Sequence, residues 1–216
     1  MPALVKRHNI HALSLFKSSA LSEYYVPRFI KPSEVIKVLN RAKVSFTLVG
    51  AHGIGGWLGR PRASEDVDVI VSKRHHAKAV NVLVAAFPHL EVRDTAVVVR
   101  LQDRETGAVA IDVMKPTFPI IQAALTHTHS VRTGKTQFKI PSLEMALALK
   151  FAAMVSPFRE PKKKYMDASD FMTMADEHPI VNLQKLAAMG QLVYPGGGKE
   201  ILEMVRRVRA GEKLEL

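Results

Sequence analysis

Leu48-Val49-Gly50-Ala51-His52-Gly53-Ile54-Gly55-Gly56-Trp57-Leu58-Gly59-Arg60-Pro61-Arg62-Ala63-Ser64-Glu65-Asp66-Val67-Asp68-Val69-Ile70-Val71 joins a short β-prone run to an acidic one through five glycines. It begins at the end of a β-prone run, Ser45-Phe46-Thr47-Leu48-Val49, which stops at Gly50. A glycine-rich segment follows, and Asp66 to Val71 then reads as a second strand. Glycines at a strand end suggest nucleotide folds, but two common ones fail here. With Gly53 and Gly55 as the first pair, the third place of the dinucleotide pattern is Leu58. With Gly50 and Gly55 as the Walker pair, Gly56 stands where lysine is needed. What remains is a carboxylate pair inside an apolar strand. Alternation puts Asp66 and Asp68 on one face and Val67, Val69 and Val71 on the other. Two shielded carboxylates repel each other, and divalent cations remove that cost. Acids so spaced can bridge two Mg²⁺ ions ~3.5–4 Å apart, the arrangement used for in-line phosphoryl displacement. The pair alone also fits ordinary acids on an exposed edge strand.

Before this stretch, Ser33 reads as the N-cap of a helix carrying Val35, Val38, Leu39 and Ala42 on one face. Pro27 and Pro32 make the preceding residues an arm or a short helix. Ser72 can cap a helix running to about Phe87. Val97 to Leu101 and Val109 to Met114 read as strands of a hairpin, and Lys135 to Ile140 as an edge strand. Asp112 is the lone acid of its apolar strand, and beside Asp66 and Asp68 it would complete a three-carboxylate metal site. After Pro141 the pattern turns helical near 142–155, 164–177, 182–192 and 199–210, with prolines as punctuation. Strands early and helices late suggest an α/β sheet followed by a helical segment, divided here into 1–140 and 141–216. Lys150 is isolated in an otherwise apolar helix, so its ammonium either snorkels to solvent or points into a polar site. Gly196-Gly197-Gly198 offers either a phosphate nest or a flexible loop.

The glycine turn, its spacer, Asp66-Val67-Asp68 and the later strand acid Asp112 resemble the nucleotidyltransferase superfamily of DNA polymerase β. The spacer Gly59-Arg60-Pro61-Arg62-Ala63-Ser64-Glu65 is similar to that of small bacterial transferases related to the AbiEii and MenT toxins. So are Lys150 and the later basic stretch, Arg159 and Lys162 to Lys164, ending in Asp167-Ala168-Ser169-Asp170. The resemblance implies a nucleotidyltransferase fold with a mixed sheet, a nucleoside triphosphate substrate and Mg²⁺ or Mn²⁺ at Asp66, Asp68 and Asp112. It implies triphosphate contacts at Gly50, Ala51, Arg60, Arg62 and Lys150, and Asp112 as the group that orients or deprotonates an attacking hydroxyl. Ala51 stands where many members carry Ser or Gly, which removes a hydroxyl contact to the triphosphate. Partners implied are RNA, with a tRNA-like 3′ end as acceptor, and a cognate antitoxin protein. The alternative is a catalytically degenerate module that binds nucleic acid or protein.

Composition is compatible with this. The 216 residues carry a net charge of +11, which suggests a polyanionic partner. Residues 1–65 alone hold ten Lys/Arg against three Asp/Glu. There is no cysteine, which excludes disulfides, thiolate metal sites and a cysteine nucleophile and fits a cytoplasmic setting. No membrane span and no secretory leader is expected from the pattern of apolar residues.

Overall fold

The computed structural model describes residues 29–59 and 63–214. The expected basic arm before Phe29, and Arg60 and Arg62, lie outside the described residues. Five strands form the main sheet: β1 (Phe46–Leu48), β2 (Val67–Val71), β3 (Leu90–Asp94), β4 (Val98–Asp103) and β5 (Val109–Met114). Their order is β1-β2-β5-β4-β3. β2 and β5 run parallel, whereas β1 on β2, β4 on β5 and β3 on β4 are antiparallel. Val67, Val69, Ile70 and Val71 have no accessible surface, as a central strand covered on both faces requires.

Helix α1 (Pro32–Arg41) and helix α3 (Lys73–Ala86) cover one face. Val35, Leu39 and Leu83 pack there with Val67, Val69, Val71, Ile111 and Val113. The N-cap of α1 is Lys31 rather than Ser33, because Pro32 occupies the first helical position, where its missing N–H is no loss. The Glu34 carboxylate accepts from the Lys31 N–H at 2.8 Å and closes that end.

The opposite face meets α5 (Leu143–Val155), α6 (Pro161–Glu177), α7 (Leu183–Gln191) and α8 (Gly197–Arg209). Ile70 reaches from β2 into their core, where it joins Met145, Leu147, Phe151, Phe171 and Ile201. Each such fully buried side chain contributes roughly 1.5–3 kcal/mol. The glycines at 196–198 form neither a nest nor a loose loop. A Cβ on Gly197 would lie 2.5 Å from the Gly190 carbonyl oxygen, so α7 and α8 meet backbone to backbone. Lys135 to Ile140 does not extend the main sheet. It belongs to β7 (Thr136–Pro141), which pairs with β6 (Thr128–Thr133) as a separate two-stranded sheet. The indole N–H of Trp57 donates to the Pro141 carbonyl at 3.0 Å and ties the glycine segment to that hairpin.

Candidate active site

The parallel pairing of β2 with β5 places Asp68 opposite Asp112. Side chains at paired positions share a sheet face, here the face away from α1 and α3. Asp66 sits one residue before β2 on the same side, and its Oδ1 accepts from the Ser64 hydroxyl at 2.7 Å. One carboxylate oxygen from each of Asp66, Asp68 and Asp112 lies within 4.8 Å of the others. The short helix α2 (Gly50–Ile54) begins directly above them, held by the Val49 N–H donating to the Asp68 carbonyl at 2.9 Å. Gly50 has φ +60, and a Cβ there would lie 1.9 Å from Asp68 Oδ2. No side chain fits, which is the physical reason for a glycine at the end of the first strand.

Burial raises the pKa of Asp68 to about 7, with the charges of Asp66 and Asp112 adding to it and Lys150 and Arg159 opposing. Asp112 is also raised, first by burial, while Arg100 pulls it down. Arg100 lies opposite Asp112 on β4, its Nε 3.5 Å from Asp112 Oδ1. Among the described residues neither of those two buried atoms has a hydrogen-bond partner. An under-satisfied carboxylate oxygen beside two more carboxylates is the donor set of a hard divalent cation, so the residues fit Mg²⁺ or Mn²⁺.

A pH effect follows. The folded chain holds the Asp68 proton between 3.8 and about 7, where the unfolded chain has released it. This group's stabilisation is therefore fully present below the unfolded pKa and is lost as pH rises through about 7. In chelator, the difference in unfolding free energy between the wild type and Asp68→Asn is expected to change by a few kcal/mol across that window. Denaturant titrations from about pH 4 to about pH 8 measure it. Parallel curves for the two proteins would contradict the assignment.

Across the cleft stand cations from α5, from α6 and from the link between them. Lys150, only 8% exposed, does not snorkel. Its Nζ lies 2.7 Å from Asp167 Oδ1 and 2.8 Å from Asp170 Oδ2. Arg159 Nε donates to Asp167 Oδ2 at 2.9 Å. Two cations and two carboxylates thus form one charge-balanced cluster, in which Lys150, Asp167 and Asp170 are buried and Arg159 is partly exposed. Lys150 still borders the cleft, together with Gly50, Ala51 and the three acids, so the structure brings these expected residues together. Arg100, Ser64 and Met166 also line it, beyond the residues the sequence motifs imply. Arg100 had a readable signal, a cation between Val99 and Leu101 in an apolar strand.

No protein-family model matches the chain, and no curated protein is similar to it in sequence. Solved structures do match. The antibiotic-resistance factor ANT(2'')-Ia in solution has a TM-score of 0.52 at 11% identity, covering 83% of this chain and 95% of that one. An antigenic nucleotidyltransferase-like protein from Paracoccidioides brasiliensis scores 0.49 at 18% identity, with 81% and 89% covered. The lincomycin-bound lincosamide antibiotic adenylyltransferase LnuA scores 0.48 at 12% identity, with 68% and 99% covered. The mixed five-stranded sheet with flanking helices and a helical C-terminal part is a nucleotidyltransferase-type fold. At these identities the likeness is one of fold.

Proposed function

We propose that this chain is a metal-dependent nucleotidyltransferase that moves a nucleotide from a nucleoside triphosphate to a hydroxyl at the 3′ end of an RNA. The observation that carries the reading is three carboxylates, from β2, the residue just before it and β5, converging within 4.8 Å in a cleft that Lys150, Arg159 and Lys163 also line. Asp66, Asp68 and Asp112 would hold the divalent ions, which neutralise charge developing on the phosphoryl oxygens. Asp112 accepts the proton of the attacking hydroxyl, whose oxygen forms the new bond to the α-phosphorus as pyrophosphate leaves. Its position opposite Arg100 keeps that carboxylate available as a base. Gly50 and Ala51 border the cleft beside Asp68 and suit the triphosphate. Arg60 and Arg62 are proposed to reach the same phosphates. The field of Lys150 and Arg159 already acts on Asp68 and would act on bound phosphates as well.

A pure binder of polyanions gains nothing from three clustered acids, which argues against a degenerate module. The net charge of +11 supports a polyanionic acceptor over an uncharged small molecule. The segment's resemblance to AbiEii- and MenT-related transferases supports a toxin role, opposed by a cognate antitoxin. The test is incubation with total RNA, Mg²⁺ and each α-labelled nucleoside triphosphate in turn. Label is expected on RNA and none when the metal is chelated. Label on small hydroxyl compounds alone would move the acceptor to another class, and no transfer at all would overturn the enzyme.

A further inference from the structure

Phe158 is 97% exposed and Tyr165 is 68% exposed. Leaving rings of this size in water forgoes the burial that most Phe and Tyr side chains gain on folding. Neither contributes to the cluster of buried residues beneath α5–α8. Both lie on one segment at the cleft. Phe158 precedes Arg159, which lines the cleft, and Tyr165 precedes Met166, which also lines it. Lys163 lines it too, and its charge reaches Asp112.

The segment's conformation is constrained. Pro157 and Pro161 bracket Phe158 and fix φ on either side, and Pro161 opens α6. On α6 the spacing of Lys162, Tyr165 and Met166 is i, i+3, i+4, so these three are neighbours on one exposed stripe. Between Phe158 and Met166 stand Arg159, Lys162, Lys163 and Lys164 against the single acid Glu160. Exposed rings interleaved with cations match a chain of stackable bases linked by phosphates. An apolar protein surface would instead be opposed by this run of ammonium groups.

We propose that Phe158 and Tyr165, flanked by Lys162 and Lys163, grip the unpaired 3′ segment of an RNA, stacking its bases while the terminal hydroxyl enters the cleft. This rests on the RNA acceptor proposed above. It requires single strands, because a duplex keeps its base faces stacked internally.

The experiment reads binding without chemistry. A fluorescently labelled, unpaired RNA of mixed sequence and its duplex form are titrated with the full chain, and anisotropy is followed as salt is varied. The wild type is expected to prefer the single strand. Phe158→Ala/Tyr165→Ala is expected to weaken that binding roughly tenfold or more, with the salt slope unchanged. Because both rings are exposed, the double variant should melt like the wild type. Lys162→Ala/Lys163→Ala is expected to flatten the log–log salt slope by about 0.7 per lost phosphate contact. Undiminished affinity in the aromatic variant would overturn the proposal. So would an equal loss of nucleoside triphosphate binding, which would make the rings part of the nucleotide site. If the wild type grips single strands through these rings yet transfers no nucleotide in Mg²⁺, the grip stands and the transferase reading falls.

Discussion

Asp68→Asn is expected to lower nucleotide transfer by about 10²–10³-fold or more while leaving the fold intact. Asp68 is the acid to choose because the charges of both Asp66 and Asp112 act on it. It is paired in register with Asp112 and touches the space a Gly50 side chain would fill. Asparagine keeps the volume and one carbonyl oxygen but removes the charge that would hold a cation. The same change removes the repulsion from Asp66 and Asp112 that helps lift the Asp68 pKa, so the metal-free variant should be no less stable than the wild type near neutral pH. The two proteins should then part company when metal is added. Mg²⁺ should raise the melting temperature of the wild type by mass action and that of Asp68→Asn much less. Transfer is measured with α-labelled nucleotide, and melting by calorimetry with and without Mg²⁺. Unchanged transfer in the variant would remove Asp68 from the chemistry, and equal thermal shifts would remove it from the metal site.

Much of the fold was readable because its periodicities are strong. The alternation in Asp66–Val71 and Val109–Met114 located the two strands that matter, and β5 has those same bounds. The four C-terminal helices fall within a few residues of their expected ranges, since Pro157, Pro161, Pro179 and Pro195 punctuate them. What escaped has physical reasons. Strand β3 is an edge strand in which Leu90 alone is buried, and its alternation of Leu90 and Val92 with Glu91 and Arg93 spans only four residues. Strand β6 has no fully buried residue, and Val131 alone, paired with Phe138, packs on a core cluster, so its apolar signal is weak. The glycines of α2 have poor helix propensity, so a helical turn there depends on tertiary contact. In the site, alternation put Asp66 and Asp68 on one face. Their meeting with Asp112 depended on parallel pairing, a non-local fact that no local pattern encodes. The partners of Lys150 were hidden for the same reason. Asp167 and Asp170 are legible as a motif, yet their contact with a lysine seventeen and twenty residues earlier exists only once α5 packs on α6.

That contact gives Lys150→Ala an effect larger than the loss of a phosphate ligand. Removing the ammonium leaves Asp167 and Asp170, respectively 2% and 5% exposed, without the cation that lies within 2.8 Å of each. Breaking a buried ion pair from one side costs about 3–5 kcal/mol, because the surviving charge stays buried. Arg159 still serves Asp167 and limits the damage, so the lower half of that range is expected. For a chain of this length the melting temperature should fall by roughly 6–16 °C. Lys150→Met, which keeps the stem and loses the charge, should behave nearly as badly, and adding Asp170→Asn to it should recover part of the loss. Lys150→Arg should not fully restore either stability or turnover, because the planar fork cannot occupy the place of a compact ammonium between two carboxylates. Thermal melts in the absence of nucleotide separate the two roles of the residue. A Lys150→Ala protein that melts like the wild type and loses only triphosphate affinity would make the lysine a pure phosphate ligand. One that melts early, and is rescued in part by Asp170→Asn, holds α6 and its wall of cations in place across from the three acids.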